Sequence, residues 1–372
     1  MSIITEENVW AALATVEDPE IHRPITDLNM VAKVEIKNTT VEVEILLTTA
    51  GCPLKNHIKS AVEQALLQVD GVEQVSIIMG AMNDEQKKAL REKLNGGVAE
   101  KEIPFAKPGS LTRVIAVTSG KGGVGKSSMT ANLACALAKQ GLKVGVVDAD
   151  IYGFSIPRMM GVEHEPTVLD GMIIPPVAHG VKVMSIGMFV PEGQAVVWRG
   201  PMLHRAIQQF LADVFWGDLD VLLLDLPPGT GDVAISIPQL LPSAEILVVT
   251  TPQLAAAEVA ERAGSISGQT RQQVIGVVEN MSYLPQPDGS SLHLFGEGGG
   301  ELVASRLSEQ LGYKVPLLAQ VPLDMQLREG GDNGLPVALQ DSDASKVINA
   351  LAAELAKRSR GLAGRQLGVT PK

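Results

Sequence analysis

The run Thr112-Arg-Val-Ile-Ala-Val-Thr-Ser-Gly-Lys-Gly-Gly-Val-Gly-Lys-Ser-Ser128 decides the fold. A short apolar stretch meets a glycine-rich turn, and Met129 to Gln140 then follow a helix-forming pattern, which predicts strand, loop and helix. Gly120, Gly125, Lys126 and Ser127 keep the spacing G-x-x-x-x-G-K-[ST]. In that spacing backbone N–H groups cradle phosphates, the lysine meets the outer phosphates and the hydroxyl holds Mg²⁺. Glycine is required because a side chain would keep the backbone away from the phosphate oxygens. The positive N-terminal end of the helix favours the same anion. The expected nucleotide-binding residues are Gly120, Lys121, Gly122, Gly123, Val124, Gly125, Lys126, Ser127 and Ser128.

Outward from this loop, apolar strands alternate with helices. Strands are expected at 143–147, 181–186, 221–224, 246–250, 274–278 and 315–321, and helices near 201–215, 253–267, 300–311 and 343–358. Unbroken apolar strands imply burial on both faces, hence a mostly parallel sheet with helices on either side. Ligands in such sheets sit at the carboxyl ends of the strands. Asp148 and Asp150 fall at one such end and Asp225 at another. A carboxylate at the position of Asp225 suits Mg²⁺ held through water, because Mg²⁺ dehydrates reluctantly. Asn280, also at a strand end, carries both a donor and an acceptor and can read a base edge. Cys135 lies in Ala131-Asn-Leu-Ala-Cys-Ala-Leu-Ala138 and is expected to be a packing residue.

The first 95 residues have a different pattern. Residues 5–15 predict an amphipathic helix with Val9, Trp10, Leu13 and Ala14 inward. Met30–Ile36 and Val41–Leu47 alternate around the turn-like Asn38-Thr39, which predicts a hairpin. A helix from Pro53 to Val69, a strand from Val72 to Met79 and a charged helix over 83–94 complete a small α+β unit. Residues 96–110, rich in glycine, proline and charge, predict a linker. The expected domains are therefore 1–95 and 111–358, with a flexible tail at 359–372.

The 372 residues exceed one average domain. A net charge of −11 and only 3% aromatics disfavour nucleic-acid partners. No run approaches the length of a membrane span and no signal peptide is evident, so a cytoplasmic protein without stable membrane association is expected. Two cysteines, Cys52 and Cys135, exclude a disulfide framework.

Gly-Lys-Gly-Gly-Val-Gly-Lys-Ser127 resembles the deviant Walker A loop of the MinD, ParA and nitrogenase-iron-protein ATPases. The resemblance implies an α/β P-loop NTPase with a mostly parallel, doubly wound sheet, preceded by the small α+β domain. It also implies a homodimer with ATP sandwiched between subunits, Lys121 reaching the partner's nucleotide, and slow, Mg²⁺-dependent hydrolysis. By the same resemblance Lys121, Lys126 and Asp150 are catalytic, Asp150 positioning the attacking water. Ser127, Asp148 and Asp225 belong to the Mg²⁺ shell, and Asn280 reads adenine.

Asp148-Ala-Asp-Ile-Tyr-Gly153, Val197-Trp-Arg-Gly-Pro-Met202, Asp225-Leu-Pro-Pro-Gly-Thr-Gly-Asp232, Val278-Glu-Asn-Met281 and Leu294-Phe-Gly-Glu-Gly-Gly299 together resemble the Mrp branch, the iron–sulfur cluster carriers. Thr48-Thr-Ala-Gly-Cys-Pro53 resembles the MIP and SufT type of assembly domain, in which the cysteine is the functional thiol. A helix N-terminus would favour its thiolate. These resemblances imply ATP, Mg²⁺ and an iron–sulfur cluster, with apo-protein clients and assembly factors as partners. The chain departs from the pattern at Ser282–Leu294, where carriers often have a Cys-x-x-Cys pair and this sequence has no cysteine. Cys52 is then the cluster-ligand candidate, and a four-iron cluster normally takes four thiolates. A MinD-like positioning or scaffolding ATPase is the alternative, and a dinucleotide-dependent reductase fits the loop far less well.

Overall fold

The computed structural model describes residues 4–358 except 22, 49–53, 95–102, 108, 151–152, 190–199, 230–231, 254–269 and 271. The chain divides into two compact units.

The first unit comprises residues 1–101 with two later segments, 164–176 and 213–217. Helix α1 (Glu6–Leu13) is capped by Thr5, whose side chain accepts from the Asn8 amide, and has Glu6 and Glu7 in its first turn, where the helix dipole favours negative charge. Val9 and Leu13, four apart, share the buried stripe. The expected inward Trp10 and Ala14 are instead exposed, Trp10 at 37%. Each follows a stripe residue by about 100° of helical turn, and the Trp10 indole N–H donates to Glu6 Oε1 on the surface.

Strands β1 (Val31–Lys37) and β2 (Thr40–Leu47) form the expected antiparallel hairpin. Asn38 takes the left-handed conformation at its turn, with φ 56°. Helix α2 (Lys55–Leu67) carries the chain to β3 (Gln74–Ala81), which pairs in parallel with β2. Val41, Val43 and Ile45 from β2 meet Ile58, Val62 and Leu66 from α2. Helix α3 spans Asp84–Leu94, with Asn83 and Gln86 exchanging backbone-to-side-chain hydrogen bonds at its start. Leu169, Met172, Ile174 and Phe215 complete this core, although nothing in their local pattern marked them for it.

The second unit opens with a 3-10 turn, Pro104–Ala106, which buries Phe105 within the stretch expected to be a linker. Its sheet is built on β4 (Arg113–Ser119) and β5 (Val144–Asp148), joined by helix α4 (Lys126–Lys139). A short helix α5 (Ile156–Met159) follows. The hairpin β6 (Thr167–Leu169) and β7 (Met172–Ile174) lies in the segment assigned to the first unit. Then come β8 (Val177–Ala178), β9 (Val181–Ser185), α6 (Gly200–Ala212), β10 (Val221–Asp225) and α7 (Asp232–Leu240). Strands β11 (Glu245–Thr250), β12 (Val274–Glu279), β13 (Leu284–Pro285), β14 (Ser291–Leu292) and β15 (Leu317–Gln320) follow. Helices Gly299–Leu311, Met325–Asp332 and Asp343–Lys357 pack late in the chain.

The eight-stranded sheet has the order β15-β12-β11-β4-β10-β5-β9-β8. All its pairings are parallel except β8 with β9, an antiparallel edge that the strand pattern did not foretell. Every residue of β4, β5, β9, β10 and β12 is buried, as a sheet covered on both faces requires. Cys135, fully buried on α4, packs in the main core, and burial pushes its thiol up to about 12. It is a packing residue, as expected. Most of the helix expected over 253–267, and the tail 359–372, lie outside the described residues.

Candidate functional site

The phosphate-binding loop leaves β4 at Ser119, whose hydroxyl donates to the Lys121 carbonyl at 3.1 Å. Gly123 and Gly125 are left-handed, with φ 82° and 83°. A Cβ at Gly123 would meet nothing within 4 Å, so the loop is open on that side. One at Gly125 would fall 2.2 Å from Asn280 Nδ2. Gly125 is also the N-cap of α4, and no side chain caps that helix. Its first amides therefore form an uncapped donor set at the dipole's positive end.

Parallel register sets the acids in a row. Asp225 at the end of β10 lies opposite Val117 of β4 on one side and Asp148 of β5 on the other, and Asp148 lies opposite Ser185 of β9. Lys126, in the first turn of α4, reaches this row with Nζ 2.6 Å from Asp225 Oδ2 and 3.6 Å from Asp150 Oδ2. The Ser127 hydroxyl donates to the same Asp225 Oδ2 at 2.6 Å. Thr130 Oγ1 lies 2.7 Å from the other oxygen, Oδ1. Lys126, Asp148, Asp150 and Asp225 are all buried.

Asp148 differs from its neighbours. Its Oδ1 accepts from the Asp150 amide, and its Oδ2 from the Ser155 and Ile156 amides and the Ser185 hydroxyl, at 3.1–3.2 Å. Burial first, and then the nearby Asp225 charge, push its carboxyl up to about 7, against the pull of the Ile156 and Asp150 amides and of Lys126. Its oxygens hold Asp150 just after β5 and Ser155 and Ile156 at the start of α5. Among the described residues it accepts no hydrogen bond from Lys126, and it meets the cluster through the Asp150 amide.

The remaining expected residues are more dispersed. Lys121 is exposed and has no ion pair among the described residues. The Ser128 hydroxyl lies 3.9 Å from Met159 Sδ. Asn280 donates through Nδ2 to the Val124 carbonyl at 2.9 Å, while its buried Oδ1 has no hydrogen-bond partner. The amide thus supports the loop with one end and offers only an acceptor with the other. Thr130 was not anticipated from the sequence. The available signal is a hydroxyl one helical turn after Lys126, on the face that turns toward the strand ends.

Ser127 Oγ and Asp225 Oδ2 are hard oxygen donors set side by side, chemistry that suits a hard divalent cation. Among the described residues, no group of three or more His, Cys, Asp or Glu forms an all-protein metal cage. The cysteine-free stretch 282–294 carries the small hairpin β13–β14. There His293 Nε2 lies 3.6 Å from Glu297 Oε1, and Leu292, Leu294 and Phe295 are exposed. Cys52 lies outside the described residues.

A parallel sheet with a left-handed glycine loop, a buried lysine in the first helical turn and a strand-end aspartate on the adjoining hydroxyl define a P-loop nucleotide-binding protein. The chain belongs to the ParA family of NUBPL-type iron-transfer P-loop NTPases, which matches residues 110–356. Residues 6–77 match the family of iron–sulfur cluster assembly proteins. The chain is 59% identical to the iron–sulfur cluster carrier protein of Mycobacterium tuberculosis strain H37Rv, covering 98% of this chain and 96% of that one. It is 37% identical to the iron–sulfur cluster carrier protein of Escherichia coli strain K12, over 94% and 90%. Among solved structures it is similar to a nucleotide-binding protein of Archaeoglobus fulgidus in complex with ADP, at 36% identity and a TM-score of 0.53, covering 72% of this chain and 97% of that one.

Proposed function

We propose that this chain is an ATP-hydrolysing carrier that delivers iron–sulfur clusters to apo-proteins, with nucleotide state controlling delivery. The observation that carries the reading is the grip of Lys126 and Ser127 on Asp225 Oδ2 beneath an open glycine loop. ATP phosphates entering the loop draw Lys126 from its carboxylates, and the amides of Gly122 to Ser128 hold them. Ser127 and Asp225 would hold Mg²⁺, which supplies charge neutralisation to the phosphates when bound. Asp150 orients the attacking water and takes up its proton, and the products are ADP and phosphate. Asn280 offers Oδ1 to the adenine amino group. Asp148 acts chiefly by fixing the turn that carries Asp150.

The protein works as a homodimer, Lys121 of each subunit crossing to the other's nucleotide, and turns over slowly as a switch does. The exposed, unpaired state of Lys121 and the exposed Phe154, Phe189 and Met202 support this reading. The cluster is cargo. Cys52 supplies a thiolate from each subunit, and assembly factors, clients or small thiols supply the remaining ligands. We read the carrier as working in the cytoplasm; among the described residues no helix is long and apolar enough to cross a membrane.

Anaerobic loading with iron and sulfide, followed by transfer to an apo-acceptor, tests the reading. Wild type should hold the visible charge-transfer absorbance, Cys52→Ala should lose it, and ATP should change the transfer rate of wild type but not of Lys126→Ala. Equal uptake by wild type and Cys52→Ala, or transfer indifferent to ATP, would overturn it.

A further inference from the structure

We propose that Thr130 is a positioning residue for divalent-metal binding, acting by holding the Asp225 carboxylate in the orientation that presents Oδ2 to the metal. The inference rests on the assignment of Asp225 to the metal site made above and extends it to a residue that touches neither metal nor nucleotide.

Thr130 is fully buried in α4, as are Ala131, Leu133 and Ala134 just after it in the chain. A β-branched residue is a slightly poor helix former, and a hydroxyl in an apolar surround costs free energy unless it is bonded. Valine, β-branched too, would fill the same space without the cost of burying a hydroxyl. The hydroxyl has one proton and two acceptors in reach, Asp225 Oδ1 at 2.7 Å and the Lys126 carbonyl at 3.0 Å. That carbonyl already receives the Thr130 amide in helical geometry. The carboxylate has the shorter, charge-assisted bond and takes the proton.

Asp225 is fully buried and its two oxygens have separate custodians. Lys126 and Ser127 meet Oδ2, and Thr130 meets Oδ1. When phosphates draw Lys126 away, Oδ2 is left to Ser127 and the metal. Oδ1 keeps its tether to the rigid helix. Without that tether the carboxylate is free to rotate about its Cβ–Cγ bond, and the pair of oxygens that must face the metal together is no longer preorganised.

The test is a Mn²⁺ titration followed by electron paramagnetic resonance on full-length protein saturated with ADP, with ADP affinity also measured in excess chelator. Thr130→Val should weaken Mn²⁺ binding about tenfold, in the 10–100-fold range typical of outer-shell partners. Thr130→Ser should stay within about twofold of wild type, and chelator-treated Thr130→Val should bind ADP as wild type does. Wild-type Mn²⁺ affinity in Thr130→Val, failure of serine to restore it, or an equal loss of metal-free ADP binding would each overturn the proposal. Asp225→Asn separates the two layers. If it too binds Mn²⁺ normally, the assignment of Asp225 fails and Thr130 with it; if it loses Mn²⁺ while Thr130→Val does not, only the Thr130 role fails.

Discussion

The two ends of the large sheet handle buried charge in opposite ways. At the amino ends Arg113 of β4 meets Glu245 of β11 through Nη2 at 2.5 Å and Nε at 3.1 Å, and its Nη1 donates to the Leu355 carbonyl. One cation meets one anion, and the spare donor is used. At the carboxyl ends, among the described residues, one lysine, Lys126, stands against Asp148, Asp150 and Asp225. Folding completes the first arrangement and leaves the second short of positive charge. A protein tolerates such an imbalance where a ligand is meant to correct it.

The largest effect expected from disturbing this contrast comes from Lys126→Ala. ATP turnover should fall about 10³-fold, because the cluster loses its one cation among the described residues. A steady-state phosphate-release assay checks this. Arg113→Ala should act on stability alone: about 3 kcal/mol lost by denaturant titration, since Glu245 is left partly buried without its partner. Its affinity for Mg·ATP should stay within about twofold of wild type, because the two ends share no partners. If Arg113→Ala instead impairs nucleotide binding as Lys126→Ala does, the two ends are coupled and the contrast is false.

The smallest effect concerns pH. Asp148 titrates near 7 in the folded chain against 3.8 when free, so the folded state binds the proton more tightly. Its contribution therefore favours folding at acid pH and is lost as pH rises from 3.8 through about 7. Without nucleotide, stability should fall by about 1 kcal/mol per pH unit near the middle of that window. Asp225→Asn, which removes a neighbouring charge that raises Asp148, should flatten the slope. Denaturant midpoints measured between pH 5.5 and 8 decide it, and a wild-type slope retained in Asp225→Asn would contradict it.

What was legible in the sequence was what is local. The loop from Gly120 to Ser128 is a contiguous string, and Asp225 stands at the end of an apolar run, so both declare themselves without knowledge of neighbours. Thr130 does not, because its meaning depends on which strand lies beneath α4, and Asp225, at the end of β10, stands 95 positions further along the chain. A place for Asp148 in the Mg²⁺ shell came from resemblance alone, and its hydrogen bonds within the chain were not legible in the string. Its oxygens are taken by amides seven and eight residues on, through a turn geometry that no spacing encodes. The segments 164–176 and 213–217 join the first unit's compact body from far along the chain, and Leu169 or Phe215 reads locally like any other core residue. Trp10 went astray because hydrophobicity outvoted helical phase.

The most direct test is thermal unfolding of the wild-type chain alone, with ADP, with Mg²⁺, and with both. The account predicts that ADP with Mg²⁺ together raise the midpoint far more than either alone, by the equivalent of about 3 kcal/mol at a hundredfold excess over the dissociation constant, and that Lys126→Ala abolishes the gain. A midpoint unmoved by Mg·ADP, or raised equally in Lys126→Ala, would contradict the claim that this end of the sheet is built to be completed by a nucleotide together with its divalent cation.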